Sequence, residues 1–446
     1  MMAEFKSWGR TVECEAEAKP VYWRNESFPY LREGETCLSY AFGRSYGDSC
    51  LNPGGAMLKT EGLDRFIEFD DQQGILRCEA GVSLSSILKV IVPRGWFLPV
   101  CPGTKNVSVG GAIANDVHGK NHHVAGTFGC HVERFELLRS NDQRLICSSK
   151  ENPDYFSATI GGLGLTGLIT GVDLRLKKIE TAYVDSEVIP FRDLSEFFRL
   201  IKDEEEYEYS AAWVDGMARR GQVGRGVYFR ANHCSSATGK RLTAHSSGGL
   251  PGMIIPRWLL NRHSTRMFNG LYCYRQRLEG KVRQVHYDSF LFPLDGFTNW
   301  NRIYGGRGFH QYQLVVPESC DEGEMLEILN FMAGSHLPIP LVTIKRFGTI
   351  KSPGMLSFPM PGLTFTIDFP NQGEGTKRLH RQLDDWVIGH HGRLYPAKDT
   401  RMSADMFLQG YSAVEKFVRF VDPRFNSGFW KRVTSKPGTK DNCFRV

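Results

Sequence analysis

The sequence is short of the features that would settle its class at sight. It has no C-x-x-C pair, no GK[ST] phosphate loop, no H-E-x-x-H, and no apolar run near the roughly 18 residues that a bilayer-spanning helix needs. Its eleven cysteines are scattered from Cys14 to Cys443 without pairing in sequence, and MMAEFKSWGR carries no apolar leader core. That usage points to a reduced, cytosolic chain and away from a disulfide scaffold. Nor is there a large excess of one charge: 55 Lys plus Arg against 49 Asp plus Glu leave +6, too little to argue for nucleic acid. Any membrane contact is therefore expected to be peripheral. What remains is a chain of 446 residues, 41% hydrophobic and 12% aromatic, long enough for two or three globular domains.

The first half is punctuated by glycine between short β-like runs: Cys37 to Phe42, Gly74 to Glu79, Trp96 to Val100 and Leu168 to Leu176. Ser83 to Val92 reads as a short amphipathic helix, with Ser83 as N-cap and Pro93 as its stop. This rhythm predicts an α+β binding domain built around backbone-lined loops. From about Tyr183 strand-like and helical segments alternate, as in a second domain. Pro251 to Phe290 interleaves basic and apolar residues, seven Lys/Arg against one Glu and one Asp. It is either a solvated loop or a mobile flap that meets anionic lipid or a phosphate-bearing substrate.

Three motifs mislead. Gly43-Arg44-Ser45-Tyr46-Gly47 matches the G-x-S-x-G elbow of serine hydrolases, but Asn52-Pro53-Gly54-Gly55 cannot supply the helix that should follow. Gly162-Leu163-Gly164-Leu165-Thr166-Gly167 matches G-x-G-x-x-G, yet the preceding NPDYFSATI looks helical and the following LITGVDLRL alternates like a strand. A Rossmann unit needs the reverse order. In HGKNHH, His118 and His122 are four apart, a zinc spacing only on a helix, and Gly119 and Asn121 make a poor helix interior. No metal is assigned. The loops FGRSYGDS, VCPGTKNVSVGGAIANDVHG and GGLGLTG instead combine glycine with small hydroxyl residues, which lets backbone N–H groups approach a phosphate. Three of them in one domain suggest a dinucleotide diphosphate held by backbone in a non-Rossmann fold.

Together with WGR (Trp8 to Arg10), FHQYQLVVP (Phe309 to Pro317), KRFG (Lys345 to Gly348), LSFPMPG (Leu356 to Gly362), GRLYPAKD (Gly392 to Asp399) and VDP (Val421 to Pro423), these loops resemble the vanillyl-alcohol-oxidase type of FAD-binding oxidoreductases. Within that type the chain is most similar to the oxidase subunits of decaprenylphosphoryl-β-D-ribose 2'-epimerases. The resemblance implies an α+β fold with a PCMH-type FAD-binding domain at 1–182. A substrate domain follows at 183–390, built on an antiparallel sheet with flanking helices and carrying a mobile basic flap at about 235–284. A segment at 391–446 would return to the FAD domain.

The resemblance also implies roles. FAD would lie against Gly43, Arg44, Ser45, Tyr46, Gly47, Pro102, Gly103, Thr104, Val109, Gly110, Gly111, Ala114, Asn115, His118, Gly119, Gly167 and Tyr395. Tethered relatives carry a histidine in the loop where this chain has Tyr46, so FAD is expected to be non-covalent. Lys398 is expected to stabilise charge on the flavin, with His118 beside it; the general base is His118, Lys398 or water. Lys120, Gln311, Gln313, Lys345, Thr364 and Thr366 would meet the substrate. His122 and His123 are expected to be structural. Thr366 stands where the relatives have cysteine and Thr364 where they have asparagine.

The implied reaction is oxidation of the 2'-hydroxyl of a polyprenyl-phosphoryl ribose. An NAD(P)H-dependent keto-reductase would complete the epimerisation, and the protein would be cytoplasmic and peripheral to the inner membrane. The rivals are an aldonolactone or alditol oxidase using O2, and a non-catalytic flavoprotein.

Overall fold

The computed structural model describes residues 1–218, 221–235, 242–244, 250–251, 260–279 and 282–435. The expected flap therefore lies in part outside the described residues, at 236–241, 245–249, 252–259 and 280–281.

The N-terminal part holds two larger sheets and a two-stranded pairing of Trp96–Phe97 with Lys177–Lys178. In the first, strands Met2–Lys6, Glu13–Pro20, Ala56–Lys59 and Cys37–Tyr40 lie side by side in that order, the last three mutually parallel. The second is antiparallel, in the order Phe66–Asp70, Ile75–Glu79, Leu168–Arg175, Val132–Leu138 and Arg144–Ser148. The helix Leu84–Ile91 starts at Ser83, whose Oγ accepts from Ser86 N, and buries Leu84, Ile87, Leu88 and Ile91 at the i, i+3, i+4, i+7 spacing of one face. A single 3-10 turn, Val92–Arg94, absorbs Pro93 before the chain re-enters a strand at Trp96. Pro153–Thr159 is helical and Leu168–Arg175 is a strand, so the G-x-G-x-x-G loop does follow a helix and precede a strand.

The central part is one antiparallel sheet of eight strands. Its order is Arg283–His286, Tyr183–Phe191, Gly226–His233, Tyr209–Val214, Val342–Phe347, Gly362–Pro370, Phe309–Pro317 and Arg393–Leu394. The helices Leu194–Leu200, Glu322–Gly334 and Glu374–Gly389 contribute Phe197, Ile328, Leu329, Leu383 and Val387 to a core shared with Leu314, Phe365 and Ile367 of the strands. Since side chains alternate across a strand, the neighbours of these apolar residues face the other way. That second face carries Gln311, Gln313, Thr366, Asp368, Thr343, Lys345 and Trp213.

After this sheet the chain returns to the N-terminal part. Tyr46 N donates to Ala397 O (2.8 Å), Cys37 N to Arg424 O (2.6 Å) and Gly428 N to Leu51 O (2.7 Å). Arg432 bridges Asp48 (2.8 Å) and Asp399 (2.9 Å), tying both ends of the chain to the turn that bears Lys398. A Cβ on Gly47 would sit 1.7 Å from Asp399 O, so only glycine permits this approach.

Candidate active site

A single cavity of about 1450 Å³ runs between the glycine loops and the polar face of the eight-stranded sheet. It exceeds the roughly 300–1,000 Å³ of an ordinary small-ligand pocket, as a site for a dinucleotide plus a second ligand must. One wall is backbone and small side chains: Gly43 to Tyr46, Pro102 to Ser108, Gly110, Gly111, Ala114, Asn115 and Gly167. A Cβ on Gly103 would project into open space, the kind of cradle that lets a diphosphate approach the main chain. The loops are bound to one another, for Arg44 donates to Asn106 O (3.0 Å) with its guanidinium 4.0 Å over the Trp8 ring. The residues present therefore fit FAD held by backbone.

Of the sequence-based expectations on this wall, Gly43, Arg44, Ser45, Tyr46, Pro102, Gly103, Thr104, Gly110, Gly111, Ala114, Asn115, His118, Gly119, Gly167 and Tyr395 line the cavity. Val109 does not; it is buried in the core beneath its helix. Gly47 packs against Asp399 O. Tyr46 is buried with its ring edge-on to Phe309, 5.5 Å between centroids. Tyr395 stacks on Phe358 (4.7 Å) and donates from its hydroxyl to Asn115 O (2.8 Å), which couples the returning segment to the loop before His118.

The opposite wall is polar. Gln313 and Thr366 are paired in register across neighbouring strands, as are Gln311 and Asp368. Asp368 is fully buried, accepting from Gln311 Nε2 (2.7 Å) and from the Tyr304 hydroxyl (3.0 Å). Burial lifts its carboxyl to about 6 despite both donors. Lys398 Nζ stands 3.7 Å over the Tyr46 ring. Burial brings this amine down to about 7, with Asp368 drawing it up and Lys345 pushing it further down. Lys345 is lowered to about 8 by burial, and Lys120 to about 7 by burial and then by Lys345.

His118 joins the two walls. Its Nε2 lies 2.9 Å from Gln313 Nε2 and its Nδ1 3.4 Å from Lys345 Nζ. Burial, then Lys345, hold its imidazole well below the ordinary histidine range, so the ring is neutral. His122 packs on Phe347 with centroids 4.5 Å apart, and His123 bonds Tyr207 O through Nε2 (2.8 Å). Lys120 lines the cavity, but its Nζ donates to Phe290 O. Thr364 does not reach the cavity. It shares the strand face of Thr366 and Asp368, yet Gln313 bonds to its hydroxyl (3.2 Å) and Lys345 is its partner in register, so these longer side chains close over it.

Four residues at this site were not singled out in the sequence: Asp368, Tyr304, Asp295 and Lys105. Asp295 accepts from Lys105 N (2.8 Å), and Lys105 forms a buried ion pair with Asp288. Alternation from Thr364 and Thr366 leads to Asp368, the one signal that could have found it.

A cavity with a backbone wall for a diphosphate and a polar wall carrying perturbed lysines is that of a dinucleotide-dependent enzyme. Residues 32–148 match the model of an FAD binding domain, so the chain is an FAD-dependent oxidoreductase. It is 36% identical over 435 residues to the decaprenylphosphoryl-β-D-ribose oxidase of Mycolicibacterium smegmatis, covering 93% of this chain and 94% of that one. The chain belongs to the decaprenylphosphoryl-β-D-ribose oxidase family. It is also 30% identical to an uncharacterised Streptomyces coelicolor protein, over 77% of this chain and 96% of that one. To mouse L-gulonolactone oxidase it is 26% identical, over 44% of this chain and 48% of the relative.

Proposed function

We propose that this chain oxidises the 2'-hydroxyl of a polyprenyl-phosphoryl-β-D-ribose to the 2'-ketone, the first half of an epimerisation to the arabinose compound. The observation that carries the reading is Lys398 standing over Tyr46 at the seam where the cofactor loops meet the polar wall of Gln311, Gln313, Thr366 and Lys345. Bound FAD would accept the hydride that leaves C2'. The hydroxyl proton goes to Lys398 Nζ, which burial has brought to about 7, near the optimum for a base at neutral pH. Once protonated, the same ammonium faces the negative charge that arrives with the hydride.

Gln311 and Gln313 bind sugar hydroxyls, and Lys345 and Lys120 face the phosphate. His118, neutral and bonded to Gln313, orients Gln313 and Lys345 rather than exchanging a proton itself. The ketone then passes to an NAD(P)H-dependent keto-reductase, with the protein held peripherally at the cytoplasmic face of the membrane that carries the substrate.

The test is anaerobic addition of polyprenyl-phosphoryl ribose while flavin absorbance is followed. Bleaching that depends on this sugar supports the reading. Bleaching by free aldonolactone or alditol with fast reoxidation in air would replace it with the sugar-oxidase reading, and no bleaching by any sugar would leave a non-catalytic flavoprotein.

A further inference from the structure

The helix Arg262–Glu279 has its polarity inverted. Its inward face is small or polar: Thr265, Asn269 and Cys273 are buried, with Asn269 Nδ2 bonded to Asp215 Oδ1 (2.8 Å). Its outward face carries the large apolar residues. Met267 is 73% exposed, Leu271 64% and Tyr274 61%, at the i, i+4, i+7 spacing of one stripe, with Phe268 at its edge. Such a stripe on a water-facing helix marks a surface that is covered in use.

Two further observations say what covers it. Of the helix's arginines, Arg262 donates to Ala333 O (2.6 Å) and Arg266 to Met217 O (3.1 Å), while Arg275 and Arg277 are exposed, a positive charge beside the stripe that complements an anionic surface. Phe268 and Tyr272 also line the cavity, as do Phe297 and Thr298 across from them, and Phe297 is half exposed. The exposed stripe is thus continuous with an apolar edge of the active-site cavity.

We infer that this helix is a docking face for an anionic lipid bilayer. Met267, Leu271 and Tyr274 enter the acyl region, the exposed Arg275 and Arg277 meet the headgroups, and a prenyl chain passes from the bilayer between Phe268 and Phe297 without crossing water. This rests on the substrate reading above and adds the surface through which that substrate arrives.

The test compares full-length FAD-loaded protein with Met267→Glu/Leu271→Glu, two outward positions that do not line the cavity. Flotation with phosphatidylcholine vesicles containing phosphatidylglycerol should show the variant partitioning at least about tenfold less. Flavin reduction by polyprenyl-phosphoryl ribose embedded in those vesicles should fall in parallel, while reduction by a short-chain, water-soluble prenyl-phosphoryl ribose should be unchanged. Leu271→Gln alone gives the same comparison if the pair lowers the yield of folded protein. Equal flotation of wild type and variant would overturn the proposal. So would light scattering that finds a wild-type dimer dissolved by the variant with vesicle binding unchanged, since the stripe would then serve a second copy of the chain. If neither prenyl-phosphoryl ribose reduces wild-type flavin, the proposed function falls, and the flotation arm still decides the docking face.

Discussion

Replacing Lys398 with methionine keeps an unbranched apolar stem and removes the terminal amine. In the structure that amine stands over Tyr46, near Asp368 and Lys345, and among the described residues it makes no hydrogen bond to the cofactor loops. The variant should therefore fold and stay yellow. Loss of one preorganised group acting on developing charge costs about 3–4 kcal/mol, roughly a hundredfold to a thousandfold in rate. Stopped-flow reduction of the flavin under anaerobic, saturating substrate should show that loss. The pH dependence gives a second reading of the same amine. A base at about 7 is protonated and idle below that value and free above it, so wild-type reduction should rise with pH through about 7. Lys398→Met should be flat across that window. Asp368, ionised above about 6, holds the amine up, so Asp368→Asn should move the rise to lower pH. Reduction of Lys398→Met at the wild-type rate would refute the whole assignment.

Lys345→Met should weaken substrate binding more than it slows reduction at saturation, because a phosphate contact is made before and during the chemical step; titration of substrate against reduction rate separates the two. Acid denaturation should release all of the FAD, since Tyr46 offers no imidazole for a bond, and colour in the washed precipitate would contradict this. A thiol-directed reagent that enters the cavity should leave the wild type active, because burial pushes the Cys50 thiol up to about 12 and Cys101 higher still. Thr366→Cys should become labelled at that position, read by peptide mass, and lose activity on labelling.

The cofactor wall was legible because its signals are local. Ser83 caps the helix its spacing predicts, and the inverted helix-strand order around Gly162 to Gly167 was readable from the flanking stretches 152–160 and 168–176 alone. The polar wall was only half legible. Alternation puts Thr364, Thr366 and Asp368 on one face, but whether each meets the cavity depends on a neighbouring strand distant in sequence. Gln313 and Lys345 cover Thr364, whereas Gln311 meets Asp368 and leaves it at the cavity. The helix Arg262–Glu279 shows the same limit in another form. Its periodicity can be read, but nothing local tells that the apolar stripe points outward, because that is decided by Asn269 reaching Asp215, just past the strand Tyr209–Val214.

The return of the chain to its own beginning bears on how the protein matures. Tyr395 and Lys398 arrive late in synthesis, and Tyr46, Asn115 and Asp48 wait for them through the Ala397, Tyr395 and Arg432 contacts. On the ribosome the glycine loops can therefore offer FAD only a one-sided surface. The contacts made by Tyr395, Ala397 and Arg432 can form only once those residues have emerged, so flavin loading is expected to be late. A chain cut short before Arg432 should be cleared as colourless protein rather than stored as a weak enzyme.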